Sequence, residues 1–252
     1  VEEERLGALD GRRAARALVF CPDALGRMLL SRDPRLARVV VGLAPLSVGM
    51  LAETPPKTPV CFASMFTGLS PEAHGIRRYE RPVLSCETLF DSLAREGSRV
   101  AIVAVEGSSI DIIFRGRDLE YHSLPGDREV AACACGILAR DGADFVLAYQ
   151  QRYDDLLHGP GGPFSADALG AAADHASDFS GLSRAMEQGW GEFDRLLLFA
   201  PDHGAHALPD GRGDHCDDIP DDMEITHFWG FRRGRGRMAD SGSCPDRPDR
   251  VI

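Results

Sequence analysis

The sequence has no apolar run approaching the roughly 18 residues needed to cross a bilayer. Its first stretch, 1–16, is charged and carries no apolar signal-peptide core. Neither a membrane span nor a secretory leader is therefore expected. Positive charge is also short: 28 Lys and Arg stand against 39 Asp and Glu, a net charge of -11. Bulk binding to a nucleic acid polymer or an anionic membrane draws its affinity from Lys and Arg that neutralise phosphates, so neither partner is expected. An anionic substrate would need a local positive centre, which bound divalent ions supply. The cysteines (Cys21, Cys61, Cys86, Cys133, Cys135, Cys216 and Cys244) are odd in number and lack the spacing of a disulfide framework. Reduced thiols and a cytoplasmic location follow as expectations. Cys133 and Cys135 are two apart in a helix-like stretch, so they do not share a face and read as small core residues.

What is present is an ordinary globular composition: 252 residues, 44% hydrophobic and 27% charged, enough to bury one sizeable core. Strand-like and helix-like runs alternate, the pattern of a mostly parallel sheet covered on both faces. Strands are expected at 17–20, 99–105, 144–149, 195–200 and 223–231. Helices are expected at 58–65, 86–95, 129–140 and 165–188, while 39–43 fits either. The expected fold class is α/β, a three-layer α/β/α arrangement with a mostly parallel central sheet. Residues 1–231 read as one catalytic domain and 232–252 as a polar tail.

Acids, histidines and one threonine gather just past the apolar runs: Asp23, Thr58, Asp154, His158, Asp202, His203 and His215. In open sheets of this class ligands bind beyond the carboxyl ends of the strands. Asp154 and His158, four apart, share one side of a helical turn and can hold one metal, with Asp155 as a competing carboxylate. Asp202 and His203 can both turn onto one ion at a strand-to-loop break. A turn Asp beside a capping His is the plainer alternative, and His206 is a spare candidate. His215 lies in a loop with Asp210, Asp214, Asp217, Asp218, Asp221 and Asp222, whose carboxylates read as solvated. Thr58-Pro59 opens a helix, with Thr expected as its cap and Pro as its first residue. His227 reads as packed behind the site, His74 as bracing a turn, and His122 and His175 as surface residues.

Residues 58–76, from Thr58 through Thr67-Gly68 to His74-Gly75-Ile76, resemble the nucleophile segment of the alkaline phosphatase superfamily, in its phosphodiesterase and nucleotide pyrophosphatase branch. Tyr153-Asp154 through His158 resembles that branch's Asp and His ligand segment. Pro201-Asp202-His203-Gly204 resembles its Asp-His-Gly segment, and Gly213-Asp214-His215 its last histidine ligand. The matches run in family order from Asp23 to Phe231. The resemblance implies an alkaline phosphatase-like fold and two divalent metal ions, zinc first and manganese second. One ion would be held by Asp154, His158 and His215, the other by Asp23, Asp202 and His203 with the Thr58 hydroxyl. It also implies Thr58 as nucleophile, attacking phosphorus to form a phosphothreonine that water then releases. The implied substrate is a small phosphate or phosphonate ester, most simply a diester; monoesters, transfer to another acceptor, and a weakly catalytic anion-binding descendant are the alternatives.

Departures from the family pattern qualify this. The branch's Asn three residues after the nucleophile is Cys61 here, and the Gly that follows its last histidine is Cys216. Only 85 residues separate Gly68 from Asp154, too few for the cap of the related phosphomutases. Residues 61–65 lack the Pro and Arg of the sulfatase Cys-x-Pro-x-Arg pattern. Lys57 reads as solvent-exposed, with contact to a substrate phosphate as the alternative. Arg77, Arg78, Tyr79 and Glu80 are expected to shape substrate choice.

Overall fold

The structure, a computed structural model, describes residues 1–236; the part of the expected tail at 237–252 lies outside the described residues. The chain begins with α1 (Glu2–Ala8), β1 (Arg16–Pro22), α2 (Arg27–Arg32), α3 (Pro34–Leu43), β2 (Leu46–Leu51), α4 (Thr58–Thr67), α5 (Pro71–His74) and α6 (Leu89–Arg95). It continues through β3 (Val100–Val105), α7 (Ser109–Ile113), β4 (Glu120–Leu124), α8 (Asp127–Ala139), β5 (Phe145–Gln150), α9 (Arg152–Leu157) and α10 (Ala166–Trp190). Then come β6 (Arg195–Phe199), β7 (His206–Ala207), β8 (Gly213–Asp214), α11 (Pro220–Met223) and β9 (Glu224–Arg232).

Seven strands form one sheet in the order β2-β9-β6-β1-β5-β3-β4. β9 runs antiparallel to both its neighbours, and the other pairings are parallel. The central strand β1 is buried along its whole length, as expected for a parallel strand covered on both sides. Its side chains alternate between two cores. Leu18 and Phe20 join the core beneath α2, α3, α8, α9 and α10, whereas Ala17, Val19 and Cys21 join the one beneath α4, α6 and α7. The expected three layers are thus present.

Local sequence explains several boundaries. The helix expected from Cys86 starts instead at Leu89, because Thr88 and Asp91 form a reciprocal capping box that fixes the first turn there. The ambiguous 39–43 segment is the end of α3, which Asp33 caps by accepting from Arg35 N and Leu36 N. His175, expected at the surface, is buried at 1% exposure. It lies on the face of α10 that also carries Ala168, Ala172, Phe179 and Leu182, the three- and four-residue spacing of a buried stripe. β2 and β4 lie at the two edges of the sheet, and the sequence reading contains neither. On the second face, an apolar groove of about 620 Å³ runs between α4 and strands β6, β9 and β2.

Candidate metal centre

The strand order explains how distant residues meet. β6, β1 and β5 are neighbours and run parallel, so their carboxyl ends open onto one crevice. Asp23 follows β1, Asp154 sits in the first turn of α9 just after β5, and Asp202-His203 follow β6. Thr58 arrives from another direction as the first residue of α4. That helix is fixed by its aromatic face, where Phe62 meets Tyr149 at 5.5 Å and Phe66 meets Phe90 at 4.8 Å and Phe114 at 5.6 Å between ring centroids. His215 is brought in by the short β7–β8 pair.

Two triads result: Asp154, His158 and His215; and Asp23, Asp202 and His203. Within each, the potential ligand atoms all lie within 4.8 Å of one another. The triads touch, since the His203 and His215 rings stack at 4.2 Å between centroids. Thr58 Oγ1 joins the second triad, 3.3 Å from Asp23 Oδ2 and 3.4 Å from His203 Nε2. Every residue singled out for the site from sequence is therefore in one cluster. Thr58 is not the helix cap that its position before Pro59 suggested. Lys57 is the N-cap residue, Thr58 makes no capping bond, and its hydroxyl is directed to Asp23 instead.

The three imidazoles share one feature. His158 Nδ1 donates to Gly213 O at 3.2 Å, His215 Nδ1 to Pro56 O at 3.1 Å, and His203 Nδ1 to Gly204 O at 3.0 Å. A carbonyl can only accept, so each Nδ1 carries a proton and each Nε2 is turned toward the crevice. There the Nε2 atoms of His158 and His215 lie 3.5 and 3.3 Å from Asp154 Oδ1, and that of His203 lies 3.4 Å from both Asp23 Oδ1 and Asp202 Oδ2. Asp154 Oδ1 and Asp202 Oδ2 are buried without a well-formed hydrogen bond. Lone pairs thus converge on lone pairs, and a proton or a cation is required between them.

The protonation balance carries the same strain. Burial, with the Asp202 and Asp154 charges, pushes Asp23 well above the usual carboxylate range. Burial pushes Asp202 up to about 7, with Asp154 adding to it against the Ala24 N–H. Burial would raise Asp154 too, but contact with His158 and His215 outweighs it and holds that carboxyl low. Burial would lower His215, yet Asp154 and the Cys216 thiol push it up to about 12. Burial and His215 lower His203. Buried carboxylates that do not share protons need a compensating positive charge. Mixed imidazole and carboxylate donors fit a zinc- or manganese-like ion. The residues present therefore fit divalent metal.

Surrounding residues hold this frame. Tyr149 OH donates to Asp23 Oδ2, a phenol that burial and Asp23 keep protonated. His227 Nε2 donates to Pro201 O at 2.9 Å, bracing the chain just before Asp202, and His74 meets Ser64 Oγ at 3.0 Å and accepts from Ile76 N. Both fit the sequence reading. His206 is no ligand here: it donates to Asp222 Oδ1 at 2.8 Å. Asp222 itself is fully buried rather than solvated, because Asp217 N and His206 both donate to it. Asp155 is exposed and outside both triads.

The crevice opens through a mouth of about 390 Å³. Of the residues expected to shape substrate choice, Tyr79 lines it; Arg81, Glu106, Ser109 and Gln151 also do, and the sequence reading names none of these four. Lys57 and Cys61 are not part of that lining. Cys61 lines the apolar groove on the far side of α4 and packs with Ala52 and Met223. Cys216, where the resemblance leads one to expect a glycine, has φ at 112°, a backbone conformation that favours glycine.

No protein-family model matches the chain, and no curated protein matches it by sequence. Its fold does match solved structures. Murine ectonucleotide pyrophosphatase/phosphodiesterase 5 aligns with a TM-score of 0.61 at 18% identity over 77% of this chain. The chain spans 58% of that protein's length. An inactive threonine-to-alanine variant of the murine protein, in complex with AMP, aligns similarly at 17% identity. A 2-O glycosaminoglycan sulfatase aligns with a TM-score of 0.58 at 12% identity, over 88% of this chain and 64% of its own. Phosphonoacetate hydrolase from Sinorhizobium meliloti 1021, in complex with phosphonoformate, aligns with a TM-score of 0.54 at 17% identity, over 82% of this chain and 62% of its own. The chain has the alkaline phosphatase-like fold of these neighbours.

Proposed function

We propose that the chain is a metal-dependent hydrolase of the alkaline phosphatase superfamily that cleaves small phosphate esters, diesters first, with Thr58 as nucleophile. The observation that carries this reading is the gathering of three Nε2 atoms and three carboxylates, those of Asp23 and Asp202 buried and that of Asp154 partly so, into two adjoining triads, with the Thr58 hydroxyl against Asp23 and His203. Asp154, His158 and His215 would hold one ion and Asp23, Asp202 and His203 the other, zinc being favoured over manganese. Bound there, the ions supply positive charge for the attacking and leaving oxygens of a displacement at phosphorus. The cytoplasmic location suggested by cysteine usage belongs to the same reading.

The chain's own residues account for the rest. Thr58 Oγ1 bonds to phosphorus as the ester P–O bond breaks, and the leaving oxygen departs with the bonding pair and takes its proton from solvent. The hydroxyl proton is directed toward Asp23, whose other partner is the Tyr149 phenol. Water then cleaves the phosphothreonine and restores the hydroxyl. In the first turn of α4 only the Thr58 N–H is open to a phosphate oxygen, because Pro59 has no N–H and Val60 N and Cys61 N both donate to Lys57 O at 2.9 Å. The inactive threonine-to-alanine variant of the murine neighbour supports a threonine in this role. The sulfatase neighbour does not bring its activity with it, since the nucleophile position is Thr58 and the Cys-x-Pro-x-Arg pattern is missing.

The test is hydrolysis of bis(p-nitrophenyl) phosphate by chelated protein with zinc or manganese restored, beside p-nitrophenyl phosphate and a phosphonate. Metal-dependent release is expected, and Thr58→Ala should reduce it on the order of a thousandfold or more while the metal stays bound. Unchanged turnover in Thr58→Ala would remove the nucleophile assignment.

A further inference from the structure

α9 carries Asp154 and His158, yet it has no cap of its own: Gln151, its N-cap residue, makes no side-chain capping bond. Capping comes from a different element. Asp127, the first residue of α8, accepts from Gln151 N through Oδ1 and from Arg152 N through Oδ2, both at 3.0 Å. One carboxylate thereby satisfies two successive N–H groups where β5 turns into α9.

Asp127 is itself held from behind. Gln150, fully buried at the end of β5, donates through Nε2 to the Asp127 backbone carbonyl at 2.8 Å and to Asp178 Oδ2 at 2.7 Å. Its Oε1 accepts from His175 Nδ1 at 2.7 Å. The end of β5 is thus tied to α8 and α10 through one amide. None of these four side chains lines the mouth, so substrate contact does not explain the network. The Asp127 carboxylate reaches the triads through the start of α9, whereas the Gln150 backbone carbonyl separately accepts from Asp23 N at 2.9 Å.

We propose that Asp127 is a positioning residue for the first triad: by capping α9 from α8 it fixes the helix so that Asp154 and His158 converge with His215. This rests on the metal-centre reading above. The second triad hangs from β1 and β6 and does not depend on α9. Loss of the Asp127 carboxylate should therefore weaken one metal site and spare the other. Without it two N–H groups lose their acceptor, and the start of α9 is free to shift or fray.

The experiment is competitive zinc titration of the full chain after chelation, without substrate, with amide hydrogen exchange on the same metal-free samples. The unmutated chain should bind two zinc ions. In Asp127→Ala one should bind with unchanged affinity and the other about tenfold or more weaker, the range seen when groups supporting a metal ligand are removed. The Gln151 and Arg152 amides should exchange faster. Asp127→Asn keeps one acceptor oxygen and should fall between; it also serves if the alanine variant does not fold. Two zinc ions at unmutated affinity in a folded Asp127→Ala or Asp127→Asn would overturn the proposal. So would equal weakening of both sites. An unmutated chain that binds no zinc would instead overturn the metal-centre reading, and the positioning role with it.

Discussion

Cys216 offers a direct measure of strain beside the site. Its φ of 112° lies where a Cβ is disfavoured, and holding a non-glycine residue in so sparsely populated a region costs about 1–3 kcal/mol. Replacement by glycine removes that strain but adds unfolded-state freedom, about 0.5–1 kcal/mol against folding. It also removes the thiol, whose 3.4 Å contact with His215 Nδ1 is a weak bond worth about 0.5 kcal/mol. The balance for Cys216→Gly is a gain near 1 kcal/mol, or about 2–4 °C in melting temperature for a chain of this size. Cys216→Ala is the control, because it loses the thiol and keeps the strain. Urea unfolding of the three metal-free proteins should therefore rank glycine above the parent and the parent above alanine, with unchanged m-values. The glycine-minus-alanine difference isolates the backbone. A glycine variant no more stable than the alanine variant would refute the strain argument.

Two other substitutions probe the frame and the core. A Cβ on Gly204 would sit 2.0 Å from Asp221 O and 3.3 Å from Gly26 Cα, so Gly204→Ala must push the loop after His203 away from α11, and to a lesser degree from the loop after Asp23. A loss of about 1–3 kcal/mol in denaturant unfolding is expected, and an unchanged midpoint would contradict that close approach. Burial lowers His175 to about 3, against about 6.5 unfolded, so the unfolded chain binds the extra proton between those values. Stability is full above pH 6.5 and falls as pH drops toward 3, by up to roughly 4–5 kcal/mol from this group. Unfolding measured from pH 7 to 4 should show a slope that His175→Gln lacks; parallel curves would count against a buried neutral imidazole.

The parts of the fold that sequence revealed are those with one dominant signal. β1, β3, β5 and β6 are continuous apolar runs because they are covered on both faces. α10 is long and Ala-rich, with Ser165 Oγ accepting from Ala168 N as its cap. The two missed strands of the seven-stranded sheet are its edges, where the signal weakens. β2 is mostly exposed and β4 half-exposed, so neither needs a continuous apolar run. His175 shows the opposite failure. Its charge-capable side chain suggested surface, while its spacing from Phe179 and Leu182 already placed it on the buried stripe of α10.

For the site, a sequence motif gives residue type and chain order, whereas the supporting contacts depend on which elements the fold brings together. Asp23, Thr58, Asp154, His158, Asp202, His203 and His215 are legible because each lies in a short segment whose chemistry is local. Asp127 is 24 residues from Gln151 and Tyr149 is 126 from Asp23, and nothing local marks either as a partner. Gly26 and Gly204 are the intermediate case. Each follows a site segment and so invites notice, but the need to lack a Cβ appears only in the fold, where one on Gly26 would lie 2.4 Å from Gly204 Cα and one on Gly204 would lie 2.0 Å from Asp221 O. That approach sets the second triad: with Gly26 against Gly204, Ala24 N donates to Asp202 Oδ1 at 3.2 Å. The glycine of the Asp-His-Gly segment thus acts through the distance between two loops, which links a backbone requirement directly to the place where Asp23, Asp202 and His203 meet.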